Sequence, residues 1–249
     1  MTGSTDRVDV PVEALAALAE REQVGSLHVT LRPDPRWLSE TERDEAAKRV
    51  DDALAVAGLV DRRGRATAAF LDWLPLLVRP VVEYYGWVAT GDRTYGVLAA
   101  SSGMQAVLAV SDGEQVGVQE IDRNAVLETL VAQLPQVGPG GGQPRSVLVG
   151  DLTDAAHRGA DAYPLDPVLA DVVNLVRRPV HGSGELYAGR RDEVGRYSRL
   201  EEPLHYADTD WGRYLSYTVG AGAEAVIRIG PAGPAELCGA LRELADSLA

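Results

Sequence analysis

The chain has 249 residues, 45 % hydrophobic and 24 % charged, with 24 basic against 37 acidic side chains and a net charge of −13. Those figures suit a soluble globular protein with a sizeable core. They argue against a nucleic-acid binder, because an acidic surface repels phosphate and the basic runs Arg62-Arg63-Gly64-Arg65 and Arg190-Arg191 are short and flanked by acids.

Cys238 is the lone cysteine, which leaves no intrachain disulfide and no cysteine-based metal site. Asp6 and Asp9 sit at the N-terminus with no apolar run behind them, unlike a secretory signal, so a cytoplasmic location is expected. The longest apolar stretch, Ala66 to Val82, is interrupted by Asp72, Pro75 and Arg79 and is too broken to insert in a membrane.

Residues 1–8 are polar and expected to be disordered. Asp9 is read as the cap of a first helix, with Pro11 in its opening turn, Val12, Leu15, Leu18 and Ala19 at helical spacing, and Gly25 as its stop. Ser26 to Leu31 alternates as a short strand closed by Pro33 and Pro35. Ser39 and Glu42 form a capping-box pattern for a helix reaching Gly58, and Ala66 to Leu77 reads as a more buried helix. Four meander strands follow at about 80–89, 94–100, 104–110 and 114–121, the last pair joined by Asp112-Gly113. Asp122 opens a helix carrying Val126, Leu127, Leu130, Val131 and Leu134, and Pro135 ends it.

Gly138-Pro-Gly-Gly-Gly-Gln-Pro144, within residues 136–145, reads as a linker. Beyond it come a short apolar segment, Ser146 to Val149, and helical residues near 151–159. Leu165, Val168, Leu169, Val172, Val173 and Val176 then recur at helical spacing. Strands fill Pro179 to Ile229, and Pro234 opens a last helix with Leu237, Leu241, Leu244, Ala245 and Leu248 on its apolar face.

The expected fold is therefore α+β with a pseudo-two-fold internal duplication: residues 9–135 and 146–249 each run helix, helix, meander, helix, and the two meanders join edges into one sheet. Trp87–Asp92 lies over Tyr187–Asp192, and Ser111–Val116 over Gly220–Ala225.

No constellation for catalysis emerges. The glycine-rich stretch lacks the Lys-Ser/Thr of a phosphate loop, Gly182-Ser-Gly184 reads as a turn, and neither a Gly-x-Ser-x-Gly elbow nor His-Glu-x-x-His occurs. His28, His157, His181 and His205 are scattered; His205, beside Tyr206, reads as half-buried strand packing. Asp208, Asp210 and Arg213 are the one tight cluster of opposite charges, read as a turn residue and a salt bridge rather than a carboxylate pair for acid–base chemistry. No enzyme activity, metal or cofactor is expected. The Leu165–Val176 stripe is most simply a core face, with a groove for a partner helix as the alternative.

The segment Gly184-Glu-Leu-Tyr-Ala-Gly-Arg190, followed by Asp208-Thr209-Asp210-Trp211-Gly212-Arg213-Tyr214-Leu215, resembles the EspG family of type VII (ESX) secretion-associated proteins of actinobacteria. The likeness extends over about residues 8–248. It implies a central antiparallel sheet flanked by two helical bundles, and a cytosolic chaperone that binds the helical tip of a secreted PE–PPE-like heterodimer. That role would keep the tip's apolar surface from self-association until export.

Carried onto this chain, the resemblance implies a groove between the Leu165–Val176 helix and the strands around Leu186–Arg190 and Tyr214–Tyr217. The contact residues would be Leu165, Val168, Leu169, Val172, Leu186, Tyr187, Arg190, Tyr214 and Tyr217, with Asp92 and Arg93 from a neighbouring loop. That loop helps substrate recognition in relatives where it is long. It is only Gly91-Asp92-Arg93 here, so another helical-hairpin export protein fits as well. The rival readings are a homodimeric scaffold without export substrate, and a small-molecule binder or enzyme using the cleft between halves.

Overall fold

The computed structural model describes residues 7–35, 37–158 and 166–248. Residues 1–6 of the polar N-terminus, residue 159 of an expected helix, and Leu165 lie outside the described residues.

The first half of the chain runs β1 (Val8–Pro11), α1 (Val12–Arg21), α2 (Glu40–Val56), α3 (Ala68–Val78), β2 (Val82–Thr90), β3 (Arg93–Ser102), β4 (Gln105–Ser111), β5 (Gln115–Glu120) and α4 (Val126–Val131). It continues with β6 (Arg145–Leu148), α5 (Val149–Arg158), α6 (Pro167–Val176), β7 (Val180–Arg191), β8 (Tyr197–Arg199), β9 (Leu204–Thr209), β10 (Gly212–Val219), β11 (Val226–Pro231) and α7 (Pro234–Asp246). The eleven strands among the described residues lie in one antiparallel sheet ordered β1-β5-β4-β3-β2-β7-β9-β10-β11-β6, with β8 paired to β7 beside that path.

Local chemistry sets the hairpins and caps. The Asp112 carboxylate accepts from the amides of Glu114 and Gln115, and Gly113 takes φ +93, closing the β4–β5 turn. Ser39 and Glu42 form the reciprocal capping box that starts α2. The meander strands fall within a few residues of their expected places. β7, for its part, is a twelve-residue strand paired along most of its length to β2.

Two expectations fail near the N-terminus. The first helix starts at Val12 with Pro11 as its N-cap, not with Asp9 as the cap and Pro11 in the first turn, because Val8–Pro11 pairs with β5 as an edge strand; that pairing also orders Val8, expected to be part of a disordered tail. Ser26–Leu31 is no strand. His28 donates its amide to the Leu77 carbonyl at 2.8 Å, and Val29–Leu31 closes into a 3₁₀ turn. Its alternation reflects a single segment laid across the sheet, burying Leu27 and Leu31, with the Thr30 carbonyl directly over Gly96.

Alternation along each strand gives the sheet two apolar faces. On one, Tyr85, Leu98, Ala100, Val107, Ala109, Val116 and Val118 pack under α1, α3 and the end of α2. On the other, Val88, Val97, Leu108, Leu186, Leu204, Tyr206, Leu215 and Tyr217 pack under α4 and α7. A third, small cluster of Val147, Leu169 and Val172 seats α6 on the β6–β11 edge.

The Asp208–Arg213 cluster is structural. Arg213 donates through Nε and Nη2 to both Asp208 oxygens at 2.6 and 2.8 Å, with both side chains buried. Its Nη2 also donates to the Pro135 carbonyl at 2.8 Å, and its guanidinium lies 4.5 Å from the Tyr206 ring. Asp210 points elsewhere, to Arg178. His205 is exposed rather than half-buried, because its side chain projects from the sheet face where none of the described helices covers β9.

Candidate partner-binding groove

Asp166 accepts from the Val168 amide and Pro167 occupies the first turn, so α6 begins sharply beside the edge of the sheet. Leu169 and Val172 anchor it on Val147, with Val168 and Ile229 packing partly against the same cluster. Leu175, one turn beyond Val172, is left half-buried at the rim. The helix ends at Arg177, and Arg178 then turns toward the β9–β10 hairpin. There it pairs with Asp210 at 2.9 Å and covers the Trp211 ring at 4.2 Å.

The facing wall is the glycine-rich stretch expected to be a free linker. It is instead docked along β10. The Arg213 amide donates to the Gly138 carbonyl at 2.8 Å, and the Gly140 amide donates to the Arg213 carbonyl at 2.9 Å. The Tyr214 hydroxyl donates to the Gly141 carbonyl at 2.8 Å. Glycine is required in this contact: a Cβ at Gly140 would stand 2.1 Å from the Tyr214 ring, and one at Gly212 would meet the Gly140 backbone at 2.8 Å.

Between these walls lies a cavity of about 340 Å³, with Tyr214, Ile229 and Gly230 as its floor and Val172, Leu175 and Trp211 as its apolar lining. Arg145, paired with Asp171 at 3.0 Å, and Arg178 place guanidiniums at its rim. Trp211 is 54 % exposed, so it forms a lip that water reaches.

From this groove the same sheet face continues toward β2 with no described helix over it. Ile229, Ser216, His205, Glu185 and Trp87 stand in one directly paired row across β11, β10, β9, β7 and β2. Tyr187 lies beside that row, half-buried, its hydroxyl donating to the Glu185 carboxylate at 3.3 Å. Burial first, and then the Glu185 charge, push its phenol above the ordinary tyrosine range.

Of the residues expected at the site, the fold brings together Val168, Leu169, Val172 and Tyr214. Tyr187 faces the same side two strands away. Leu186 and Tyr217 project to the opposite face and are buried under α7, since neighbouring residues on a strand alternate in direction. Arg190 is exposed near the far end of β7, and Asp92 and Arg93 sit at the β2–β3 tip. Trp211, Arg178, Leu175 and Gly141 were missed. An aromatic at the Asp210-Trp211-Gly212 hairpin tip, where nothing local would bury it, was the available signal.

Cys238 is buried, and that burial raises its thiol pKa, away from a reactive thiolate. Among the described residues, no group of three or more His, Cys, Asp or Glu side chains is placed to hold a metal ion. No helix among them is long and apolar enough to cross a membrane.

The family model of the EspG family matches residues 11–243. No curated protein matches the sequence. Among solved structures, the Mycobacterium tuberculosis type VII secretion system chaperone EspG5, in complex with a PE25–PPE41 dimer, aligns with a TM-score of 0.72 and 16 % identity. That alignment covers 98 % of this chain and 97 % of that one, so the two share their fold along their full lengths. With the family model spanning almost the whole sequence, the chain belongs to the EspG family.

Proposed function

We propose that this protein is a non-enzymatic, cytosolic chaperone of type VII secretion that binds the helical tip of a PE–PPE-like secreted substrate and keeps it soluble for export. The observation that carries the reading is the groove between α6 and the glycine-rich wall, apolar along its floor and open at the Trp211 lip. A helix end with exposed aliphatic side chains fits such a cleft, and covering it removes the surface through which it would aggregate. The EspG5 relative, whose structure holds a PE25–PPE41 dimer, supports the same class of partner.

The architecture is read as two copies of one unit, residues 9–135 and 146–249, each with its own helical layer. The strand order supports this: β1-β5-β4-β3-β2 is mirrored outward from the centre by β6-β11-β10-β9-β7. The hairpins match in register as well: Ser102 pairs with Gln105 around a two-residue β3–β4 turn, and Thr209 pairs with Gly212 around a two-residue β9–β10 turn.

The test is affinity capture of the tagged protein from its native cytosol, beside the Trp211→Ala and Leu175→Asp variants. The expected result is a small helical secreted pair at one-to-one stoichiometry, lost in both variants while their circular dichroism is unchanged. Recovery of the chain alone, or only with itself, would overturn the reading.

A further inference from the structure

Strands β2 and β3 are joined by Gly91-Asp92 alone, whereas residues 192–203 connect β7 to β9 and fold β8 back onto the end of β7. That end lies roughly 30 Å along β7 from Val180, where the β9–β10 hairpin borders the groove.

One edge of β8 is free. Among the described strands it pairs with β7 only. The Leu200 amide donates to the Ala188 carbonyl at 3.0 Å and the Asp192 amide to the Arg196 carbonyl at 3.0 Å, so the bonds to β7 fall on alternate residues, with Ser198 between. Tyr197 and Arg199 therefore turn their amides and carbonyls away from β7. The strand is well anchored: the Tyr197 hydroxyl donates to the buried Glu83 carboxylate, and the Arg191 guanidinium lies 4.5 Å from the Tyr197 ring.

Charge of one sign surrounds this edge. Arg190, Arg191, Arg196 and Arg199 belong to the hairpin, and among the described residues none of them forms an ion pair. The Asp192 carboxylate that follows Arg191 is taken up by the amides of Val194 and Arg196, at 3.1 and 2.8 Å. Pairing puts Arg191, Tyr197 and Arg199 on one face of the sheet and Arg190 with Ser198 on the other. Beside Arg191 on the first face stands Val81, 45 % exposed, whose carbonyl accepts from the Arg191 amide.

We infer that β8 is a strand-addition site for an extended acidic segment of a partner protein. The segment pairs its backbone with Tyr197 and Arg199, sets carboxylates against the guanidiniums, and lays an aliphatic side chain on the exposed flank of Tyr197. Charge decides the occupant. A second copy of β8 would bring the same uncompensated arginines against these, whereas an acidic strand neutralises them. The site goes beyond the chaperone reading and does not depend on it, because it stands at the far end of β7 from the groove.

The probe is a blocked peptide, Thr-Val-Glu-Glu-Glu-Val-Thr, titrated into the full-length protein and followed by amide NMR shifts. Saturable shifts are expected at Tyr197 and Arg199, weakening as salt is raised. Arg199→Gln should weaken binding about two- to fivefold, the range for one exposed ion pair. N-methylation of the three glutamates, which keeps the peptide's charge but removes its central donors, should abolish the shifts and so separates strand addition from charge attraction alone. Shifts that are absent, that fall on other strands, or that survive N-methylation would overturn the inference, as would equal binding of Thr-Val-Lys-Lys-Lys-Val-Thr. Concentration-dependent shifts at the same two amides without peptide would show that a second copy fills the edge, and would overturn it as well.

Discussion

Tyr85 and Tyr187 stand directly opposite one another across the β2–β7 pairing, their rings stacked with centroids 5.1 Å apart and planes within 9°. This stack lies where the two meanders meet, and its two members are buried to different depths. Tyr85 is 2 % exposed beneath the 26–32 segment, whereas Tyr187 has an open side and meets Trp87 edge-on at 6.0 Å. Tyr85→Ala should therefore cost about 3–5 kcal/mol, the range for emptying a large buried aromatic site. Tyr187→Ala should cost about 1 kcal/mol, close to the stacking interaction alone. Urea unfolding of the two variants measures both; equal losses would mean that Tyr187 carries core packing.

The Asp208–Arg213 pair makes a different kind of prediction, because both groups are buried and share two hydrogen bonds. Removing one partner strands a charge in the core, so Asp208→Ala or Arg213→Met should each cost about 3–5 kcal/mol. Removing both should cost clearly less than the sum. The Arg213 guanidinium also holds the Pro135 carbonyl, so part of the single-variant loss should persist in the double variant. A double-mutant cycle by denaturant unfolding reads the coupling directly; strict additivity would refute a coupled pair.

Much of this fold was legible in the sequence because it is carried by local patterns. Asp112-Gly113 encodes its hairpin, Ser39 with Glu42 encodes a helix start, and the alternation of the meander strands encodes their pairing. What local patterns could not supply was the partner of each segment. Val8–Pro11 reads as the end of a polar tail and the start of a helix unless β5 is known to lie beside it. Ser26–Leu31 alternates like a strand although it crosses the sheet instead of joining it. The glycine run has the composition of a linker, yet its small size is what lets it lie against Tyr214. The same limit governs the site. Helical spacing put Val168, Leu169 and Val172 on one face of a helix, but Leu186 and Tyr217 were carried into the groove from the family resemblance, without the facing that puts them on the opposite side of the sheet.

Gly140 tests whether the glycine wall shapes the groove. A methyl group there would stand 2.1 Å from the Tyr214 ring and displace it, breaking the hydroxyl bond to the Gly141 carbonyl. Gly140→Ala should cost about 1–3 kcal/mol through overpacking and should weaken substrate capture by deforming the floor of the cavity. Gly138→Ala is the matched control, since nothing lies within 4 Å of a Cβ at that position. Thermal melts and capture measured on both variants check this; a Gly140→Ala protein that melts and binds like its control would show that the wall yields freely.

The α2 capping box gives a pH dependence whose sign is fixed by its geometry. Glu42 accepts from the Ser39 hydroxyl and amide, and these hydrogen bonds hold its carboxyl below the ordinary glutamate range in the folded protein. A group whose folded pKa is depressed stabilises the fold fully above its unfolded pKa, and that stabilisation is lost as pH falls through the folded value. Ser39→Ala removes the hydroxyl partner of Glu42 along with the oxygen that accepts from the Glu42 amide. The stability gap between wild type and Ser39→Ala should therefore be constant from neutral pH down to the ordinary glutamate range. It should narrow below that range, leaving the pH-independent part that comes from the lost amide bond. Asp61 and Asp112, which backbone amides also hold below the ordinary aspartate range, lose their contribution in both proteins and cancel in the difference. Urea unfolding of the pair across a pH series reads this gap, and a gap that widened on acidification would contradict the assigned hydrogen bonds.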